Sequence, residues 1–283
     1  MADFSDWIGR QDERADVVDP GLLARFAGTI DLSLGDGALV PQGLHWCLAP
    51  PDVATSLLGP DGHPRRDAGS FLPPIPLLRR MWASSEVSFL APLRVDDRVR
   101  RTSRLAAIKS KTGTSGALVF VDVDHEWTGD TGPLIRERQT IVYREPAAPE
   151  ASSVPPPLGP DRFRPASGSV HRVVTPSEAL LFRYSALTFN SHRIHYDRPY
   201  AVEEEGYRGL VVHGPLTATL LLDLARRTFG DQPLTRFTFR GISPAMCGEP
   251  LHLVLLAEGE TCELGAFADD GRQVMAATGA RRI

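Results

Sequence analysis

Cysteine is scarce in this chain: Cys47, Cys247 and Cys262 are scattered through 283 residues, and no Cys-x-x-Cys occurs. That is too few for a disulfide framework or a cysteine-built zinc site, and it fits a reducing compartment. An excess of charge of either sign is also missing. Lys and Arg number 31 against 35 Asp and Glu, a formal net charge of -4. Broad electrostatic attraction to nucleic acid or to an anionic membrane is therefore not expected. Long apolar runs are lacking too. Leu216–Ala225 is interrupted by Asp223 and is too short to span a bilayer. The opening MADFSDWIGRQDERADVV has no basic start followed by an apolar run, so no secretory signal is read there. These absences predict a soluble cytoplasmic protein with neither nucleic acid nor membrane as partner.

What the chain has in quantity is turn formers, 25 Gly and 24 Pro, which favour short strands over long helices. The stretch 146–169, PAAPEASSVPPPLGPDRFRPASGS, has no hydrophobic period and reads as a semi-rigid surface linker. It separates residues 1–145 from residues 170–283. The first part opens with a helix signal: Asp19 as cap, Pro20 at the first position, then Leu22, Leu23, Phe26 and Ala27 until Gly28. Strand-like runs follow at 86–92, 99–109, 117–127 and 136–143, divided by turn residues. The second part repeats this order. Thr175-Pro176-Ser177-Glu178 reads as a capping box with proline at the first helical position, opening a helix to about Leu187. A loop follows, then a helix from Pro215 to about Thr228 closed by Gly230, then strands at 234–240, 250–257, 262–268 and 274–280. Strands grouped after helices predict the α+β class.

Ionisable residues and glycines concentrate between the two helices of the second part, in FRYSALTFNSHRIHYDRPYAVEEEGYRGLVVHGPL (182–216). Pro215 at the start of a helix leaves the Gly214, Leu216 and Thr217 N–H groups at its positive end. Such an end polarises a carbonyl and stabilises the oxyanion that develops from it. A histidine with a near-neutral pKa moves protons to or from water. His195 lies five residues after Asn190, in a loop that both helices can fix. His192-x-x-His195 with Asp197 also hints at a metal, but the usual third ligand is unplaced, and no metal or other cofactor is expected.

This segment resembles the hydratase motif of MaoC-like, R-specific enoyl-CoA hydratases, in which Tyr, Asp, Asn-Pro-Leu-His and a helix begun by His-Gly follow in order. Tyr184, Asn190, Ile194, His195, His213 and Gly214 match that motif or occupy its positions. SALTFNSHRIHYD and GLVVHGPL are most similar to the branch of mesaconyl-C4-CoA and itaconyl-CoA hydratases and type 2 3-hydroxyacyl-thioester dehydratases. FLPPIPLLRRMWASSEVSFLAPL, KSKTGTSGALVFVDVDHEW and ERQTIVYRE extend the resemblance over the first part. It implies a double hot-dog fold, two tandem units of antiparallel sheet wrapping central helices. It implies reversible hydration of an α,β-unsaturated acyl-CoA, with a C5 dicarboxylyl-CoA as the expected substrate.

By position the resemblance makes His195 the acid/base and Gly214 the carbonyl donor. Asn190 stands where the family has Asp, and an amide there is expected to orient water rather than take its proton. Substrate contacts are expected from Tyr184, His213, Arg193, Thr217 and Lys111, and coenzyme A phosphate contacts from among Arg79, Arg80, Lys109, Lys111 and Arg240. ARFAGTID loosely parallels FRYSALTFN, yet five residues beyond Asp31 lies Asp36, so the first part is expected to shape the acyl pocket and carry no catalytic pair. Alternatives are a fatty-acid 3-hydroxyacyl-thioester dehydratase, a hot-dog thioesterase and a non-catalytic acyl-CoA binding subunit. A homodimer is compatible with such sheets.

Overall fold

The computed structural model describes residues 3–35, 39–113, 116–145 and 154–281. Strands β1 (Gln11–Val17), β2 (Arg79–Phe89), β3 (Arg98–Gly113), β4 (Gly116–Gly129) and β5 (Gly132–Arg144) precede the 146–169 stretch. Strands β6 (Val170–Val174), β7 (Leu234–Gly241), β8 (Leu251–Glu258), β9 (Thr261–Ala268) and β10 (Gln273–Arg281) follow it or open from its end. All ten form one sheet in the order β1-β3-β4-β5-β2-β7-β10-β9-β8-β6. The two sets of five have the same internal order, and they meet where β2 pairs antiparallel with β7. At this seam Val87 lies opposite Phe237 and Ser85 opposite Phe239, all four buried, while Glu86 and Arg236 pair at 2.9 Å on the solvent side. That is the alternation expected of a sheet with one wet face.

Among the described residues there are three α-helices, the third packed against the strands and the first against the second. In α1 (Pro20–Thr29) the Asp19 carboxylate accepts from Leu22 N–H, as the sequence predicts. Helix α2 (Glu178–Thr188) starts later than its motif suggests: Ser177, not Thr175, is the cap, accepting from Leu180 N–H, and Pro176 lies before the helix. Phe189, in the left-handed region, ends it. Helix α3 (Gly214–Phe229) begins one residue before Pro215 and ends at Gly230. From Leu216 to Ala225 every residue of α3 is buried, so this helix is wrapped on all sides. Its lone acid, Asp223, is met by Arg172 of β6 at 2.6 Å and by Arg227 at 2.7 Å, which offsets the cost of burying the charge.

Three strand segments have no counterpart in the sequence reading: β1, β6 and the first half of β2, residues 79–85. β1 and β6 are the outer strands of the sheet and alternate between exposed and half-buried residues. Their sequences, QDERADV and VHRVV, carry too little apolar pattern to signal a strand. In the 146–169 stretch, residues 146–153 lie outside the described residues. The rest runs largely exposed over the surface, tethered at points: Val154 bridges Tyr207, and Phe163 stacks on Phe267 and donates its N–H to Asp269 O. Among the described residues no helix is long and apolar enough to cross a membrane.

Candidate active site

A cavity of about 920 Å³ runs between the two sets of strands. Its wall takes Asn190, His192, His195, Gly214 and Thr217 from the second part, and Trp46, His63, Trp82, His125, Glu137 and Gln139 from the first.

His195 ends a short 3-10 turn, Arg193–His195, and is buried. Its Nδ1 lies 2.7 Å from Val211 O. A carbonyl only accepts, so Nδ1 carries the hydrogen and Nε2 is the basic nitrogen. Burial pushes the imidazole down to about 4 against the opposing Val211 bond, so His195 is neutral at physiological pH. The ring stacks on His213, with centroids 3.6 Å apart, and meets the edge of His192 at 5.5 Å.

Asn190 follows the residue that terminates α2, and its N–H bonds Ser185 O. Its Oδ1 accepts from the His192 N–H at 3.0 Å. That bond orients the amide and leaves its NH₂ as a donor on a cavity-lining side chain.

Gly214 opens α3, where no earlier turn supplies a carbonyl for its N–H. A Cβ added there would lie 3.9 Å from Trp82 O, an ordinary contact. Packing therefore does not demand glycine at this position. Thr217 is different from its expected part. Its N–H bonds His213 O at 3.1 Å, so it is not a free donor of the helix end, although the residue does line the cavity.

Of the other expected contacts, Tyr184 and His213 are buried beside the cavity without lining it. Tyr184 Oη lies 3.2 Å from Thr219 Oγ1, and His213 Nε2 lies 2.8 Å from Ser185 Oγ. His213 stacks on the His195 ring, and Tyr184 packs against His213. Arg193 turns away: its guanidinium pairs with Asp197, donates to Pro60 O and covers the Tyr200 ring. Asp197 is thus committed to Arg193 and does not join His192 and His195. Lys111 lies exposed on β3 over Phe120, away from the cavity.

Among the arginines and lysines expected to meet coenzyme A phosphates, Arg80 alone lines the cavity. Arg79 is buried against Glu205 at 2.9 Å, Lys109 pairs with Asp122, and Arg240 lies outside the lining. Arg65, Arg66 and Arg144 line it instead. The sequence reading also passed over Asp61 and His63. The available signal was an acid and an imidazole two residues apart in the loop PDGHP.

A family model, hydroxyacyl-thioester dehydratase type 2, matches residues 43–247. A mesaconyl-C(4)-CoA hydratase from Chloroflexus aurantiacus is 42% identical over 281 residues, 98% of this chain and 97% of that protein. A solved structure of a MaoC-like dehydratase superposes with a TM-score of 0.73 at 16% identity, covering 98% of both chains. A Mycobacterium tuberculosis protein described as having a double hotdog fold superposes at 0.60 and 14% identity, over 97% of this chain and 96% of that one. The two identical strand orders joined at β2 and β7 are the double hot dog of the α+β class. With the matched segment spanning the seam and the cavity on both of its sides, this chain belongs to the hydroxyacyl-thioester dehydratase type 2 family of hydro-lyases.

Proposed function

We propose that the protein adds water reversibly to the double bond of an α,β-unsaturated acyl-CoA, with mesaconyl-C4-CoA first and itaconyl-CoA second among C5 dicarboxylyl substrates. The observation that carries this reading is the neutral, Nδ1-anchored His195 lining one cavity with Asn190 and with the amide end of α3. The thioester oxygen accepts from the Gly214 N–H. Asn190 donates to the water oxygen, and His195 Nε2 accepts a water proton as the C–O bond forms at the β-carbon. The π electrons move onto the thioester oxygen, where the helix end meets the enolate. The imidazolium, its Nδ1–H still held by Val211, then returns its proton to the α-carbon.

Ser103, His125, Glu137 and Gln139 give an otherwise largely apolar wall one polar patch, which suits a short acyl group with a polar end. In this reading residues 1–145 shape the acyl pocket and residues 170–283 supply the chemistry. Arg65, Arg66, Arg80, Arg101, Arg144 and Arg272 are among the arginines on the wall that can pair with coenzyme A or with the acyl carboxylate. The Chloroflexus aurantiacus relative and the free thiols of Cys47, Cys247 and Cys262 support a reducing, cytoplasmic setting.

The test is loss of the enoyl-thioester absorbance on crotonyl-, octenoyl-, mesaconyl-C4- and itaconyl-CoA with the wild type and His195→Ala. Hydration by wild type, with turnover lowered by about 10²–10⁴-fold in the variant, is expected for a general base. Saturable binding without turnover of any thioester would replace the hydratase with a binding subunit, and release of free thiol would mark a thioesterase.

A further inference from the structure

A water poised to attack through a lone pair presents two hydrogens, and each needs an acceptor. His195 Nε2 supplies one. In the family motif the residue at position 190 is a carboxylate, which would supply the other. Here Asn190 Oδ1 already accepts the His192 N–H, and a neutral amide oxygen so engaged is a weaker acceptor than the carboxylate it replaces. A stronger second acceptor has to come from elsewhere on the wall.

The loop 60–63 of the first part is docked on the catalytic loop itself. Pro60 O accepts from Arg193 Nη1 at 2.9 Å, Asp61 O from Arg193 N at 3.0 Å, and Gly62 O from Ser191 Oγ at 2.6 Å. Gly62 has φ +84, and any Cβ there would overlap the Ser191 carbonyl. These contacts deliver His63 to the cavity wall, its ring 4.1 Å from that of His192, which in turn meets His195 edge to face. His63 Nδ1 lies 2.9 Å from Asp61 Oδ2, while the other Asp61 oxygen accepts the His63 N–H at 3.0 Å. A carboxylate that is ionised only accepts, so Nδ1 carries the hydrogen and Nε2 is left as an acceptor. Asp61 is held below the usual carboxylate range by His63, and burial keeps His63 neutral, pushed down to about 4.

We propose that His63, oriented by Asp61, is the second acceptor on the catalytic water, taking the place of the carboxylate that Asn190 lacks. The active site is then shared: His195, Asn190 and Gly214 come from one hot dog and His63 from the other. Asp61, His63 and His192 also offer ligand atoms within 4.8 Å of one another, near enough to share a cation. The His63 and His192 rings, however, lie face to face at 36°. Lone pairs in the planes of such rings do not converge on one ion, which favours the water-holding role.

This inference rests on the hydratase reading, and its test separates the two. His63→Ala, Asp61→Asn and His63→Ala combined with Asn190→Asp are assayed on the best substrate of the panel, each checked for folding by circular dichroism. For His63→Ala we expect kcat to fall about 100-fold with KM within about threefold, the pattern of a group acting on the reacting water. Asp61→Asn should lose about tenfold, and Asn190→Asp should restore about tenfold or more to His63→Ala by returning an acceptor from the opposite side. If His63→Ala does not fold, the isosteric Asp61→Asn carries the test. Near-wild-type turnover in both single variants overturns the proposal. So does a His63→Ala loss that Asn190→Asp leaves unrelieved, which marks a purely structural loop, and so does a wild-type activity abolished by EDTA, which marks a metal. A wild type inactive on every thioester sinks the hydratase reading itself.

Discussion

At the scale of single residues, the site separates what packing requires from what chemistry requires. Gly214→Ala places a Cβ at ordinary distance from Trp82 O, so the variant should melt within a few degrees of wild type. It also sets that methyl group beside the amide proposed to hold the thioester. We expect kcat/KM to drop by about 10²-fold, the scale of a disturbed oxyanion donor; an unchanged kcat/KM would place the thioester elsewhere. The state of the imidazoles makes a second prediction. His195 and His63 are both neutral down to about 4, chiefly through burial. A reaction that needs their unprotonated Nε2 atoms should have kcat/KM flat around neutrality and falling only in the region of pH 4, where the free enzyme gains the protons. A limb near 6.5 would mean that the catalytic base is a solvated histidine. His195, Asn190 and Gly214 were legible in the sequence because they lie within one segment of about 25 residues bounded by helix signals. His63 was not, because it reaches them across a fold in which the loop contacts span 129 to 133 positions.

At the scale of elements, the loop 60–63 and helix α3 place different demands on the chain. Gly62→Ala combines a strained backbone with overlap at Ser191, and the loop is not a core element. It should therefore cost activity more than stability, with turnover falling about 10²-fold if His63 moves off the water by an ångström or so. Measured side by side, melting temperature and kcat would show this; equal collapse of both would make the loop a folding element. Asp223 is the reverse case. Removing the carboxylate by Asp223→Ala takes their shared partner from Arg172 and Arg227, whose guanidinium groups still reach solvent. A loss of about 1–3 kcal/mol is expected in urea unfolding, from the lost charge-assisted hydrogen bonds. The two helices of the second part and most strands were readable from caps, turns and alternation. β1 and β6 were missed because an outer strand with polar neighbours needs no apolar face. The start of α2 was misplaced by two residues because Thr175 and Ser177 are both competent caps, and only the structure shows which side chain meets a free N–H.

At the scale of the whole molecule, burial of neutral histidines ties stability to pH. His45 is pushed down to about 3, His63, His125 and His195 to about 4, and His192 and His213 fall further below 6.5. Between about 4 and 6.5 the unfolded chain binds protons that the folded chain refuses. Stability contributed by these groups is thus present above 6.5 and lost as pH falls through the window. Glu137 works in the opposite sense, raised to about 7 by burial despite bonds from Trp46 and Ser85, so its folded form keeps a proton over part of the same range. The lowered histidines, His171 among them, outnumber the raised carboxyls Glu137 and Glu205 and predict a melting temperature that declines from pH 6.5 to 4, ahead of general carboxylate titration. A flat profile over that interval would show that the histidines are solvated.

The continuous sheet has a consequence for how such a protein can change. Two identical subunits meeting across a symmetry axis would receive every mutation twice, once on each side of the seam. Here the same strand order occurs twice but is spelled by independent stretches of one gene. One copy is free to keep the fully wrapped α3 and its helix-end amide, while the other accumulates polar groups along its sheet and a histidine in one loop. Carrying both copies in one chain breaks the two-fold symmetry, and the asymmetry it permits is what allows one wall of the cavity to be altered without writing the same change into the other.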